Sequence, residues 1–197
     1  MENLLNAQMN FLIEIDKLKS IERKTKIING TRLENDAEHS WHLAMMALIL
    51  QKESNSDINL LKVIKMLLVH DLVEIDAGDT FAYDTEGHVD KFEREMAGAK
   101  RLFGMLPQEQ EKELMDLWLE FENKETNDAK FATSLDRLQP LIHNHLNQGD
   151  TWKKYNITSK QVINRNKEIA DGSEKLWEYA QNMINKSVEK GILSKEK

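Results

Sequence analysis

Apolar residues recur at helical spacing through the first third of the chain. Between Leu4 and Leu18 an apolar side chain returns every three or four residues, which predicts an amphipathic helix. After the polar stretch 19–32, the apolar segment Leu43–Leu50 belongs to a second predicted helix. Residues 60–68 repeat the pattern in a third helix, which ends at His70-Asp71 or just beyond.

Polar residues mark the starts of these helices. Asn35 has Glu38 three residues later, the spacing of a capping box at the start of the second helix. Asp57 is the predicted cap of the third helix. Residues 76–88 contain two glycines and predict an irregular loop.

The second half of the chain continues the helical pattern. We expect helices over residues 89–103, from Pro107 to about residue 123, and from Asn127 onwards. A last segment, 158–190, opens with a second capping box at Thr158 and is interrupted near Gly172, and its Lys/Glu-rich end after Asn185 is expected to be solvated. The prediction is one all-α domain over residues 1–197, a helical bundle of about six to eight helices.

The composition supports this fold class and excludes several functions. The 197 residues include only eight Gly and two Pro, few turn formers for a chain of many short strands. The absence of Cys excludes disulfides, thiolate metal sites and a Cys nucleophile. A net charge of −7 argues against nucleic acid as a partner.

No segment predicts a membrane span or a leader sequence. The longest apolar run, Leu43–Leu50, has eight residues, whereas a span needs about 20. Glu2 and Asp16 lie where a signal peptide would have a basic start and an apolar stretch. We therefore expect a soluble, cytoplasmic protein.

Candidate chemistry begins at the end of the third helix. His70 and Asp71 together offer an imidazole nitrogen and a carboxylate oxygen to a divalent cation. Glu74 follows by three and four residues, on the same face of a continuing helix. The alternative is a polar helix end, where His favours the negative end of the helix dipole.

Two further residues extend this pattern. His39 lies at the polar start of the second helix, and Asp136 lies between apolar neighbours in the sixth. Two His and two carboxylates would supply four ligands and leave positions open for water and a substrate oxygen. The sequence therefore predicts one divalent ion, with Co, Mn, Fe, Mg and Zn all compatible.

Four segments in this order resemble a known family, the HD-domain metal-dependent phosphohydrolases. The resemblance covers residues 18–167 and is closest to the small 5′-deoxynucleotidase branch. It implies that the metal ligands are His39, His70, Asp71 and Asp136. The segments are RLENDAEHS at 32–40, LVHDLVE at 68–74, AGDT at 77–80 and LDRLQP at 135–140.

The resemblance also implies roles for two acids. Glu74 orients or deprotonates the attacking water, and Asp79 is the acid that assists the leaving oxygen, or the two roles are exchanged. Asp79 could instead be a loop cap.

Phosphate binding is implied for two arginines and one threonine. Arg23 matches a phosphate-contacting arginine of the branch, Arg32 is a second candidate, and Thr80 lies beside Asp79. Arg32 could instead form a salt bridge that stiffens the loop before His39. Lys24 replaces a Trp that helps the best-known enzyme of the branch to select deoxyribose, so a strict 2′-deoxy preference is not implied.

The resulting hypothesis is a metal-dependent 5′-nucleotidase that acts on (deoxy)nucleoside 5′-monophosphates, with a small nucleotide as its ligand. One alternative is an HD phosphodiesterase or a nucleoside polyphosphate hydrolase. Another is a metal-bearing regulatory or binding module without turnover. Resemblance to the family also implies a homodimer.

Overall fold

The computed structural model describes residues 2–195, and helices account for most of them. The α-helices are α1 (Glu2–Glu14), α2 (Asp36–Leu50), α3 (Leu60–Val69), α4 (Glu74–Ala77), α5 (Lys91–Phe103), α6 (Gln108–Asn123), α7 (Asn127–Leu146), α8 (Asp150–Lys154), α9 (Ser159–Asn166), α10 (Ile169–Gly172) and α11 (Glu174–Glu189). Short 3-10 helices cover Ile15–Ser20 and Gln51–Glu53. The all-α prediction is confirmed: eight of these α-helices have eight residues or more, and the additional ones are single turns.

One small sheet was not predicted from the sequence. Strands β1 (Glu22–Lys26) and β2 (Leu33–Asn35) pair antiparallel, with Glu22 opposite Asn35. Every residue of β1 is polar, so the strand carries no alternation of apolar and polar residues from which it could be recognised. The hairpin places β1, with Arg23, beside the start of α2.

Helix caps decide where the elements that carry the site begin. Asn35 caps α2, accepting a hydrogen bond from the Glu38 amide, and the Glu38 side chain completes the capping box. The prediction for Asp57 was wrong: Asn59 caps α3 by accepting from the Lys62 amide at 3.2 Å. An amide oxygen two residues nearer the helix reaches the free N–H groups, whereas Asp57 lies too far back.

The C-terminal segment follows its prediction up to the last turn. Thr158 caps α9 in a capping box, and Ser173 caps α11 directly after Gly172, which confirms the interruption. The expectation of a solvated end after Asn185 was wrong. Helix α11 continues to Glu189, and Ile192 and Leu193 are buried, because the chain turns back against α9.

Two apolar clusters hold the helices together. The larger lies among α2, α3, α7, α10 and α11, with α7 at its centre. The smaller cluster surrounds Trp118 and Phe103. Leu114 packs against both clusters. Gly172 permits the close contact of α10 with α7, since an added Cβ would lie 2.3 Å from the Lys130 carbonyl oxygen.

A second glycine contact sets the position of α4. A Cβ added at Gly98 of α5 would lie 2.7 Å from the Val73 carbonyl oxygen, immediately before Glu74. Helix α5 therefore packs directly on the backbone that positions Glu74. None of the helices among residues 2–195 combines the length and apolar character that a membrane-spanning segment requires.

Candidate metal centre and cavity

Residues distant in sequence converge where α2, α3 and α7 meet. The His39 Nε2 atom lies 3.0 Å from Asp136 Oδ1, and His70 Nε2 lies 3.8 Å from the same oxygen. One possible ligand atom from each of these three residues lies within 4.8 Å of the others. This spacing allows one ion to contact all three side chains.

Asp71 completes the predicted ligand set. Its Oδ1 atom lies 3.1 Å from His70 Nε2 and its Oδ2 atom lies 4.0 Å from His39 Nε2. Each of the four predicted ligands therefore lies within 4.0 Å of two others, although α2, the end of α3 and α7 supply them separately.

The hydrogen bonding of His70 prepares one nitrogen for a cation. Its Nδ1 atom lies 3.0 Å from the Leu67 carbonyl oxygen, one turn earlier. A carbonyl oxygen only accepts, so Nδ1 carries the proton and donates it. The buried Nε2 atom has no hydrogen-bond partner and faces the carboxylates. Metal-binding histidines have this arrangement, in which the second nitrogen is held by the backbone.

The charges around these residues favour a cation. Burial opposes protonation of His70, but Asp71 and Asp136 outweigh it and raise the pKa of His70 to about 9. Burial likewise opposes ionisation of Asp136, but the hydrogen bond with His39 and the nearby His70 hold its pKa well below the usual value. The field that favours a proton on His70 favours a divalent cation in the same place.

A second acidic group adjoins the first. Carboxylate oxygens of Asp36, Glu74 and Asp79 lie within 4.8 Å of one another. Burial is the main cause that raises the pKa of all three acids, to about 7 for Asp36. The buried Oε2 of Glu74 has no hydrogen-bond partner. Three crowded carboxylates require either shared protons or a cation.

Arg23 is the cation nearest to these acids. Its Nη1 atom lies 3.2 Å from Asp71 and 3.4 Å from Asp36, and its Nε lies 3.7 Å from Glu34. The guanidinium is mostly enclosed and contacts three carboxylates at once. Arg23 therefore orients the acids of both groups.

Glu34 is a site residue that the sequence analysis did not identify. Its carboxylate accepts a hydrogen bond from Gln139 at 2.6 Å and lies 3.7 Å from His39 Nδ1. Burial raises the pKa of Glu34 to about 7. Glu34 thus lies next to Nδ1 of His39, the ring nitrogen that does not contact Asp136, and it also forms an ion pair with Arg23.

A cavity of about 290 Å³ opens beside the two acidic groups. The predicted site residues that line it are Arg23, His70, Asp71, Glu74, Asp79, Thr80 and Asp136. His39 is fully buried behind them. Thr80 accepts a hydrogen bond from Arg94 at 3.3 Å.

Arg32 lies apart from the cavity. Its side chain is half exposed and donates to Glu38 at 2.7 Å, the salt bridge considered as its alternative role. Lys24 lines the cavity from an exposed position.

Other residues of the site and its cavity carried no recognisable signal in the sequence. Asp36 is three residues from His39, but carboxylates next to helix starts are common caps. Arg137 and Arg165 reach the cavity only through the packing of α7 against α9. Phe81 and Tyr83, with ring centroids 5.4 Å apart, form an apolar wall.

The helical fold and the His/Asp cluster together define the class of protein. The family model described as HD domain matches residues 15–177, and the chain belongs to this family. The resemblance inferred from the four sequence segments is confirmed.

Similar proteins give a more specific comparison. The chain is 33% identical over 144 residues to a protein named 5′-deoxynucleotidase HDDC2 from Dictyostelium discoideum, covering 70% of this chain and 76% of that protein. The human protein of the same name is 29% identical, with 68% of this chain and 65% of that protein aligned.

A solved structure is similar over almost the whole chain. It is described as a predicted metal-dependent phosphohydrolase from Magnetospirillum magnetotacticum MS-1. It is 48% identical, with a TM-score of 0.94, and covers 98% of this chain and 97% of its own.

Proposed function

We propose that this HD-domain metal-dependent phosphohydrolase releases inorganic phosphate from nucleoside 5′-monophosphates, including deoxynucleotides. One observation carries the proposal: two histidines and two aspartates converge beside a cavity with two further carboxylates. The relatives named 5′-deoxynucleotidase support the choice of substrate. A cavity of about 290 Å³ is at the small end of ligand sites, as expected for a mononucleotide.

The residues that would hold the ion are His39, His70, Asp71 and Asp136. A divalent ion bound there would supply Lewis acidity toward a phosphate oxygen and lower the pKa of a bound water. The unpaired Nε2 of His70 and the neighbouring carboxylates form a donor set for Co, Mn, Fe, Mg or Zn.

Glu74 and Asp79 would move the protons. Glu74 accepts the proton of the water that attacks phosphorus, and Asp79 gives a proton to the 5′-oxygen as its bond to phosphorus breaks. The products are inorganic phosphate and a nucleoside. Arg23 and the Thr80 hydroxyl face the phosphate in this arrangement, and Arg32 is left out because it lies apart from the cavity.

Phosphate release from a substrate panel tests the proposal. The protein is stripped of metal and refilled separately with Co, Mn, Mg or Zn, then given deoxy- and ribonucleoside mono-, di- and triphosphates. Metal-dependent turnover confined to 5′-monophosphates is expected. Release from di- or triphosphates instead would favour a nucleoside polyphosphate hydrolase, and no release from any substrate would favour a phosphodiesterase or a binding module.

We propose that the protein acts as a single-domain homodimer in the cytoplasm, where nucleotide pools are found. The outer face of α2 supports the dimer, because Trp41 and Ile49 expose 64% and 74% of their surface. An Ile49→Lys substitution is expected to give a monomer in sedimentation velocity. A matched Val89→Lys change on another exposed apolar residue should leave the dimer intact.

A further inference from the structure

The cations that line the cavity differ in whether a carboxylate already neutralises them. Arg23 contacts Glu34, Asp36 and Asp71, and Lys91 contacts Glu95 at 2.9 Å. Lys124 and Arg137 both contact Glu168. Among the described residues, the two remaining cations of the lining, Lys24 and Arg165, form no ion pair. Lys24 is exposed at the rim, which leaves Arg165 as the unpaired cation inside the cavity.

The surroundings of Arg165 increase its need for an anion. Burial and the nearby Arg137 lower the pKa of the guanidinium, whereas Asp136, Tyr83 and Glu168 raise it. Within residues 2–195 its side chain donates no hydrogen bond to another residue. Glu168 already pairs with Arg137 at 2.6 Å, so a further anion in the cavity would stabilise Arg165, which is half buried and has no ion-pair contact among the described residues.

The backbone holds Arg165 in this position. Arg137 Nη1 donates to the Arg165 carbonyl oxygen at 2.6 Å. The next residue, Asn166, is buried and donates to the Val162 carbonyl oxygen. The capping box at Thr158 fixes the start of the same helix. The side chain is therefore presented to the cavity from a rigid element.

We propose that Arg165 binds the phosphate group of the substrate, its guanidinium donating to two phosphate oxygens. The inference rests on the proposed function for the identity of the substrate. Arg165 lines the same cavity as the predicted metal ligand Asp136, and the two side chains interact electrostatically, so a phosphate held at the metal centre shares its cavity with Arg165. The positive charge of Arg23 is already neutralised by three carboxylates, so Arg23 attracts a phosphate dianion less strongly than Arg165 does.

The test compares Arg165→Gln with Lys167→Gln, which removes the same charge from an exposed position just beyond α9. Binding of inorganic phosphate is measured by titration calorimetry on metal-free and on Mn-loaded protein, and kcat/KM is measured with deoxynucleoside 5′-monophosphates. We expect Arg165→Gln to weaken phosphate binding and lower kcat/KM by about 10- to 100-fold, the usual effect of losing a charge-assisted hydrogen bond. Lys167→Gln should change neither.

Arg165→Lys keeps the charge but lacks the planar fork, and is expected to recover only part of the phosphate affinity. Thermal unfolding separates binding from a structural role: within residues 2–195 Arg165 forms no ion-pair contact, so Arg165→Gln should keep a Tm close to that of the wild type. A fall in Tm with unchanged phosphate affinity would overturn the inference.

Failure of the proposed function gives a different result. In that case the wild-type protein hydrolyses no monophosphate, but Arg165→Gln still binds inorganic phosphate more weakly than the Lys167→Gln control. Equal phosphate affinity and equal kcat/KM in all variants would contradict the role of Arg165 even if the nucleotidase activity is present.

Discussion

Glu74 is almost completely enclosed, yet one of its carboxylate oxygens has no hydrogen-bond partner. It lines the cavity beside Asp36 and Asp79. An acid in this position is costly to the folded state unless it serves a ligand or a reacting proton. Its position is therefore better explained by chemistry than by packing.

The role of Glu74 can be tested by a substitution that keeps its size. Glu74→Gln is expected to lower kcat by about 100-fold or more, because an amide cannot accept the proton of the attacking water. Bound metal, measured by plasma mass spectrometry, should remain at the wild-type level. The exposed Glu93→Gln change is the control. Loss of metal together with activity would instead make Glu74 a ligand.

Sequence patterns identify residues of this kind unevenly. His70-Asp71 follows an apolar helix and was recognisable from its local context, and four short segments added His39, Asp79 and Asp136. Glu34 lies inside the segment 32–40, but nothing there distinguishes it from the other acids of that segment. Arg165 lies among ordinary polar residues, and only the folded chain brings it to the site.

Helix starts show where local reasoning succeeds and where it fails. Asn35 and Thr158 were recognisable because each has its capping-box partner three residues later. Near α3, both Asp57 and Asn59 are residue types that cap helices, so spacing alone could not separate them. Strand β1 was missed because pairing with β2, rather than its own pattern, makes it a strand.

The cap of α3 gives a direct comparison. Asn59→Ala is expected to lower the free energy of unfolding by about 1 kcal/mol, since the Lys62 amide loses its side-chain acceptor. Asp57→Ala should have almost no effect, because Asp57 is exposed. Urea denaturation measures both, and equal losses would contradict the assigned cap.

The contact of α5 with α4 links packing to chemistry. A methyl group at Gly98 would overlap the Val73 carbonyl oxygen and push away the backbone that carries Glu74. Gly98→Ala is therefore expected to cost about 1–3 kcal/mol in unfolding free energy and to lower kcat. Lys100→Ala on the exposed face of α5 is the control. A variant with unchanged Tm and kcat would show that α4 accommodates the methyl group.

At the scale of the whole molecule, the site concentrates negative charge in the interior. Six carboxylates lie around one arginine: Glu34, Asp36, Asp71, Glu74, Asp79 and Asp136. Their mutual repulsion opposes folding unless protons or cations are bound. We expect the protein to depend on its metal for stability as well as for activity.

Metal removal tests this dependence. Chelation is expected to lower the Tm, and re-addition of Mn at 100 times its Kd should restore about 2.7 kcal/mol of stability. An Asp136→Asn variant should show a much smaller response to Mn. An identical Tm with and without metal would mean that the acidic groups are satisfied by protons alone.

The turn of the chain back against α9 has a consequence for biosynthesis. Ile192 and Leu193 are buried, and the Ser159 amide donates to the Ser194 carbonyl oxygen at 2.9 Å. A ribosome releases these residues after every predicted metal ligand, but a domain folds as a unit, and Ile192 and Leu193 lie in the same apolar cluster as α2, α3 and α7. The helices that carry the metal ligands therefore pack fully only after this last turn has left the ribosome. We expect the metal to be captured after synthesis rather than by the nascent chain.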